Sequence, residues 1–311
     1  MQRWLDVEVA LATAQEALGI VPIGVAAEMR KHADIRLYNL EHLKERTRVT
    51  KHSLMPLLTA LESRLSPFAC AHLHRGATTQ DIQDTALALE MRDIFALMRR
   101  KIHETLELLK TLMQSHQFTL MAGRTHSMPA SPITLGIKFA GWADELMRDL
   151  ERLDQAEKRV CVVQLFGAVG TQASFDSRGQ DLIKKFAELL GLGVPSTSWH
   201  ASRDRVAEFT FVLAMVASSL ARFADELRTL NRVEIREVIM GFQPGEIGSS
   251  CMPHKRNPED AEQIVVLGRL AKAQVGPMLE AMIVEHERDY RGTRMEWPCV
   301  MQAAHYSYNA A

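Results

Sequence analysis

Proline spacing constrains this chain more than any other feature. No proline occurs between Pro67 and Pro129, between Pro132 and Pro195, or between Pro195 and Pro244, so three long stretches are free of helix breakers. In the first, Leu87, Met91, Ile94, Met98, Ile102, Leu106, Leu109 and Met113 recur at steps of three and four, which predicts one long helix with a single apolar face. In the third, Phe209, Leu213, Val216, Leu220, Phe223, Leu227 and Leu230 alternate steps of four and three, a seam suited to a bundle with small crossing angles. The middle stretch predicts a helix from about Ile133 to Val160 and another around Ser177 to Leu190, joined by the glycine-bearing Phe166-Gly167-Ala168-Val169-Gly170. No alternating strand pattern is visible. The expected fold is therefore all-α, a long-helix bundle over 84–311 behind a smaller helical domain over 1–83. Helices of this length extend beyond what one small domain can cover, so the bundle is expected to continue into an oligomer. The smaller domain reads as short segments, Leu5 to Leu18, Val25 to His32, Asn39 to Arg46 and Ser53 to Ser63, punctuated by Pro22, Pro56 and Pro67.

Composition then narrows the function classes. The 311 residues are 47% hydrophobic, ample for a packed core. The 37 Lys+Arg nearly cancel the 38 Asp+Glu, so no bulk positive field exists to hold nucleic acid or an anionic membrane. The longest uncharged apolar stretch, Phe209 to Ala221, falls short of the roughly 20 residues a membrane-spanning helix needs. Met1 to Asp6 has neither an apolar signal core nor the acid-free make-up of a transit peptide, and residence in the cytoplasm is expected. Cys70, Cys161, Cys251 and Cys299 are far apart and form no C-x-x-C pair; they read as reduced core thiols, with no disulfide and no structural metal.

The segment Gly241 to Pro258 interrupts two strong helical patterns with three glycines, three prolines and the adjacent Ser249 and Ser250. A connector this long inside a helical protein is usually functional. Ser249, Ser250, His254, Lys255, Arg256 and Asn257 cluster in it, offering hydroxyls, cations and an amide where glycine backbone can close on an anion.

Gly248-Ser249-Ser250-Cys251-Met252-Pro253-His254-Lys255-Arg256-Asn257-Pro258 resembles the G-S-S-x-M-P-x-K-x-N signature of the fumarase/aspartase superfamily. Two further regions are similar to that family in the expected order: His74-Arg75-Gly76-Ala77-Thr78-Thr79-Gln80-Asp81, and Gly123-Arg124-Thr125-His126. With Trp4 to Pro22 the resemblance extends over essentially the whole chain. It implies anti β-elimination: a base takes the proton next to a carboxylate, the leaving nitrogen or oxygen departs from the neighbouring carbon, and fumarate is released. The doubly charged aci-carboxylate formed on the way needs cations and aligned donors around it.

Carried over residue by residue, the resemblance makes Ser249 the proton-abstracting base, with Lys255 and Asn257 gripping the substrate carboxylate. His126, placed just before Pro129 and Pro132, is expected at the start of a long helix. It matches the family's general acid, and Glu262 matches the glutamate that pairs with it. Such a pair would raise the imidazole pKa and fix its tautomer. His74 matches a second histidine near the leaving group. Thr78, Thr79, Asp81 and Thr125 match substrate-binding positions. The resemblance further implies a homotetramer whose active sites draw the His74 to Asp81 region, the Thr125-His126 region and the Ser249 loop from three chains, acting on a small molecule without a cofactor. Family members usually run longer at both ends, so a first part and a C-terminal domain are expected beyond this sequence.

Within the superfamily, Val49-Thr50-Lys51-His52, Arg203-Asp204-Arg205, Arg232 to Val238 and His286-Glu287-Arg288-Asp289 resemble adenylosuccinate lyase, the preferred reading. Trp199-His200, Ala77 to Asp81 and Met295-Glu296-Trp297-Pro298 are more similar to 3-carboxy-cis,cis-muconate cycloisomerase, the alternative, whose bacterial members generally lack the histidine present here as His126. Met128 in place of a substrate-binding glutamine, and Tyr290-Arg291-Gly292-Thr293 in place of a serine-rich stretch, depart from adenylosuccinate lyase. Arg203, Arg205, Arg291 and Arg294 are the candidates for holding a nucleotide phosphate, because a guanidinium can grip it through two parallel bonds. From another class, a catalytically silent crystallin-like protein is the rival, and the intact Ser249, Lys255, Asn257, His126 and Glu262 set argues against it.

Overall fold

The computed structural model describes residues 1–241, 245–252 and 254–311; Phe242, Gln243, Pro244 and Pro253, which belong to the connector and signature singled out above, lie outside the described residues. In chain order the elements are α1 (Gln2–Ala17), α2 (Val25–His32), α3 (Leu40–Thr50), α4 (Met55–Glu62), α5 (Pro67–Cys70), α6 (Thr79–Ser115), β1 (Leu120–Thr125), β2 (Met128–Thr134), α7 (Leu135–Val160), α8 (Gly179–Leu190), α9 (Asp204–Leu230), α10 (Glu259–Ala273), α11 (Val275–Glu280) and α12 (Tyr290–Ala310). The fold is helical, as the proline spacing requires. The 37-residue α6 buries Met91, Met98, Ile102 and Leu109 along its predicted seam. Likewise α9 buries Phe209, Leu213, Val216, Leu220, Phe223 and Leu230. By length and composition α9 could cross a membrane, but 72% of its apolar window is buried inside the protein, as in a core helix.

Contacts divide the chain into two compact units, and the division falls inside α6, ten residues beyond the boundary at 83/84 expected from sequence. The first unit comprises Met1–Asp93, Lys158–Arg203 and Val284–Asp289. Here α1 is buried on two faces. Val7, Leu11 and Ala14 pack with Phe175, Leu182 and Phe186, while Leu5, Val9 and Ala12 pack with Val25, Met29, Leu57 and Leu61. A helix sandwiched in this way has to be apolar nearly all round, which makes the one carboxylate in its middle, Glu8, conspicuous.

The second unit comprises Ile94–Glu157, Asp204–Ile283 and Tyr290–Ala311. In it α9 packs against both α10 and α12. Phe95 meets Phe209 edge-on at 5.1 Å, and Trp142 of α7 stacks on Phe223 of α9 at 4.9 Å, so aromatic pairs lock the seam.

One element contradicts the sequence reading. The segment ahead of α7 is an antiparallel hairpin, β1 paired with β2, and not the beginning of a helix. Thr125 pairs with Met128, leaving His126 and Ser127 as a two-residue turn with φ of 51° and 63°. Positive φ at both turn positions is what the right-handed strand twist selects for so short a connection. Pro129 and Pro132 had hidden the strand, since proline usually demotes one. In a two-stranded ribbon each strand keeps an open outer edge, where a residue lacking an N–H loses no ladder bond. A second correction concerns Cys251: unlike buried Cys161 and Cys299, it is exposed.

Candidate active site

In the first unit, the His74 to Asp81 segment forms a tight turn leading into α6. His74 has φ of 55° and Gly76 φ of 77°. The His74 Nδ1 lies 2.6 Å from Glu8 Oε1, with Glu8 only 1% exposed. Burial alone would lower the His74 pKa, but the hydrogen bond and charge of Glu8, with the charge of Asp81, outweigh it and raise the value. Asp81 is wholly buried and accepts from the backbone N–H of Thr78 (3.0 Å), Phe166 (3.0 Å) and Gly167 (2.9 Å), with His200 Nε2 at 2.9 Å. That carboxylate therefore holds the turn to the 161–167 segment and is sheltered from any ligand. Thr78 Oγ1 receives a 2.6 Å hydrogen bond from Arg288, and Thr79 Oγ1 lies 3.4 Å from His52 Nε2. Two hydroxyls, a histidine and an arginine thus converge at the start of α6.

In the second unit, the hairpin turn presents Thr125 and His126, both exposed. Its stem is braced by Glu237, which accepts from Arg124 Nη1 at 2.5 Å and from the Ala122 N–H at 3.2 Å. The bond from Arg124 holds the Glu237 carboxyl below the usual glutamate range; partial burial opposes this, and the Ala122 N–H and the charges of Arg124 and Lys138 reinforce it.

The signature loop folds partly on itself. The Met252 N–H donates to Ser249 Oγ at 3.1 Å, and Asn257 Nδ2 donates to the Gly248 carbonyl at 2.7 Å. Arg228, Arg232, Arg236, Lys255, Asn257 and Glu262 line a cavity of about 820 Å³ beside it. Counting Arg256, five cations and one carboxylate line it; Arg228 is also paired with Asp225, and the lining as a whole is positively charged. Glu262 sits in the first turn of α10, and among the described residues no hydrogen bond or ion pair links it to His126.

The four arginine candidates fare differently. Arg203 is buried, donates to both oxygens of Asp84 at 2.8 and 3.0 Å, and lies 5.1 Å over the Trp199 ring. It is engaged in the interior of the first unit. Arg205 is half-buried near the start of α9, and Arg291 and Arg294 are exposed in the first turns of α12. Sequence reading passed over Glu8, Glu237, Arg232 and Arg236 as site residues. Arg232, Arg236 and Glu237 fall in the Arg232 to Val238 segment already marked by its resemblance, and for Glu8 the signal was a carboxylate between Val7 and Val9 ahead of an apolar run.

A model of the lyase family matches residues 6–273. The adenylosuccinate lyase of Methanothermobacter thermautotrophicus is 41% identical over 298 residues, 95% of this chain and 66% of that protein. The chain belongs to the fumarase/aspartase superfamily. Another superfamily member, the N-acetyl-S-(2-succino)cysteine lyase of Dickeya dadantii, is 39% identical over 297 residues, covering 96% of this chain. The chain spans 65% of that relative's length. Among solved structures, the 3-carboxy-cis,cis-muconate lactonizing enzyme of Pseudomonas putida superposes with a TM-score of 0.92 at 33% identity, covering 99% of this chain and 69% of the other. Superfamily relatives thus include proteins named for a C–N substrate, a thioether substrate and a lactonisation.

Proposed function

We propose that the protein is a fumarate-releasing lyase acting on a succinyl-amine, with adenylosuccinate as the preferred substrate. The observation that carries the elimination chemistry is the cation-lined cavity against the Ser249 loop. Ser249 takes the proton from the carbon next to a carboxylate, and the electron pair moves into that carboxylate as the aci form. Lys255 and Asn257, with arginines of the cavity wall, stabilise the second negative charge where it develops. The C–N bond then breaks, the aci-carboxylate collapses to fumarate, and the amine nitrogen takes a proton from His126, supported by Glu262 of another chain in a homotetramer. His74, Thr78, Thr79 and Thr125 complete the site, and no cofactor is needed because the substrate carboxylate accepts the electrons.

A serine hydroxyl is a weak base in water. The Met252 N–H already directed at Ser249 Oγ favours its deprotonated form, and exclusion of solvent strengthens that effect. Asn257 gives up its bond to the Gly248 carbonyl when it turns to substrate.

A second reading, elimination of a thiol from an S-succino thioether, is favoured by two observations. Arg203 is occupied by Asp84 and is therefore withdrawn from any phosphate, and Met128, 68% exposed beside the His126 turn, offers an apolar contact where a nucleotide would want a hydrogen bond. One assay separates the readings. The full-length protein is incubated with adenylosuccinate, argininosuccinate, N-acetyl-S-(2-succino)cysteine and 3-carboxymuconate in turn, following fumarate and lactone. Fumarate from adenylosuccinate, inhibited by inorganic phosphate, supports the first reading. Fumarate from the thioether alone replaces it with the second, and lactone from carboxymuconate replaces both with the cycloisomerase.

A further inference from the structure

We infer that Glu8 is a positioning residue for His74, holding the imidazole by Nδ1 so that Nε2 is presented to substrate as a protonated donor. The inference rests on the reading that His74 meets the leaving group, and it adds a residue from α1 that the signature motifs do not contain.

Three observations converge on this pair. Glu8 sits in the middle of α1 between two apolar clusters, 1% exposed, and its Oε2 has no hydrogen-bond partner. A carboxylate removed from water needs a compensating charge, and the group bonded to it is the imidazole, with Nδ1 2.6 Å from Oε1. His74 also adopts a left-handed backbone, φ 55°, an uncommon conformation for a residue with a side chain. Backbone strain of this kind persists where the surroundings over-determine it, and here the Glu8 bond and the glycine turn do so.

The consequence is chemical. With the proton on Nδ1 fixed by Glu8, the nitrogen left for a ligand is Nε2, and the His74 side chain keeps 19% of its surface exposed. The charged groups bearing on the ring are Glu8 from α1 and Asp81 from α6, both acidic, with Arg75 next in the chain. The Glu8 carboxylate bonded to the ring, with the more distant charge of Asp81, favours the imidazolium, and an imidazolium donates from Nε2 to a departing heteroatom or a substrate carboxylate.

The test begins with the wild-type protein, labelled with ¹⁵N at histidine and titrated by NMR. The expected result is a His74 ring protonated at Nδ1, with a pKa above that of an ordinary histidine. In Glu8→Gln, which keeps the shape and removes the charge, the His74 titration moves down by about one pH unit or more. Glu8→Asp, which keeps the charge, moves it less. In turnover on whichever succinyl substrate is accepted, Glu8→Gln lowers kcat/KM more at pH above the shifted His74 value, where its imidazolium is lost, than below it. A wild-type ring protonated only at Nε2 overturns the inference even if Glu8→Gln fails to fold. So does a His74 titration that is the same in wild type and Glu8→Gln. If no succinyl substrate is turned over, the functional reading fails separately, and the NMR titration still decides the pairing.

Discussion

Arg203 and Asp84 form a bidentate ion pair with side chains 1% and 3% exposed, a fork of two parallel hydrogen bonds sealed under the Trp199 ring. Sequence alone marked Arg203 for substrate phosphate. Its geometry is that of an anchor between the 199–203 turn and α6. Removing one partner of a buried pair leaves the other charge uncompensated, at a cost of about 3–5 kcal/mol. Arg203→Met is therefore expected to lower the urea midpoint sharply, and Arg203→Lys to recover only part of the loss because an ammonium has no fork. Unchanged stability together with a raised KM would return Arg203 to the substrate site.

Gly268 tests the helix seam of the second unit. In an isolated helix, replacing glycine by alanine stabilises by about 1 kcal/mol. Here a Cβ at Gly268 would stand 2.6 Å from the Ala217 carbonyl oxygen and 2.5 Å from the Ala221 Cβ, so α10 would have to lift off α9. Overpacking of this kind costs about 1–3 kcal/mol. The expected sign for Gly268→Ala is thus destabilising, read from thermal unfolding, and a more stable variant would mean that the two helices are not in close contact at this point.

These two sites show what sequence can and cannot disclose. The seams of α6 and α9 were legible because a helix repeats its buried face at fixed steps, and Met91, Met98, Phe209 and Leu213 fall on them. The signature loop was legible as a break in that repeat. The hairpin was not, because its two prolines suppress a strand signal already short, and the φ of His126 is set by the turn joining β1 to β2, not by its own propensity. Partnerships across long separations, Arg203 with Asp84 or Glu237 with Arg124, carry no local periodicity at all. Arg203 and Arg291 look alike in sequence, yet one is buried and the other exposed.

The brace between Glu237 and Arg124 carries a pH signature. The Glu237 carboxyl is held below its unfolded value, mainly by the Arg124 hydrogen bond. The unfolded chain therefore binds the proton more readily, and stability rises with pH across the interval between the two values. The contribution is complete above the ordinary glutamate pKa of about 4.3 and is lost as pH falls through the lower folded value. Urea unfolding of wild type and Glu237→Gln should differ at neutral pH and converge in acid. A gap that stays constant down to pH of about 3 would show that the charge on Glu237 does not hold the hairpin.

Mixed oligomers test whether His126 and Ser249 meet across chains. Ser249→Ala should lower kcat by about 10²–10⁴-fold while leaving substrate binding largely intact, since in the proposed mechanism its hydroxyl acts when the proton leaves. His126→Asn is expected to be comparably impaired. Among the described residues no bond joins Glu262 to His126, and the proposed mechanism has a neighbouring chain bring the two together. In a co-refolded equal mixture, a site draws His126 from a Ser249→Ala chain half the time and Ser249 from a His126→Asn chain half the time. About a quarter of sites then carry neither lesion, and about a quarter of wild-type activity should return. Each variant refolded alone stays inactive, so the recovered activity can only come from hybrids. Mixed oligomers that form and remain inactive would place both residues in a single-chain site and remove the shared-site tetramer from the mechanism.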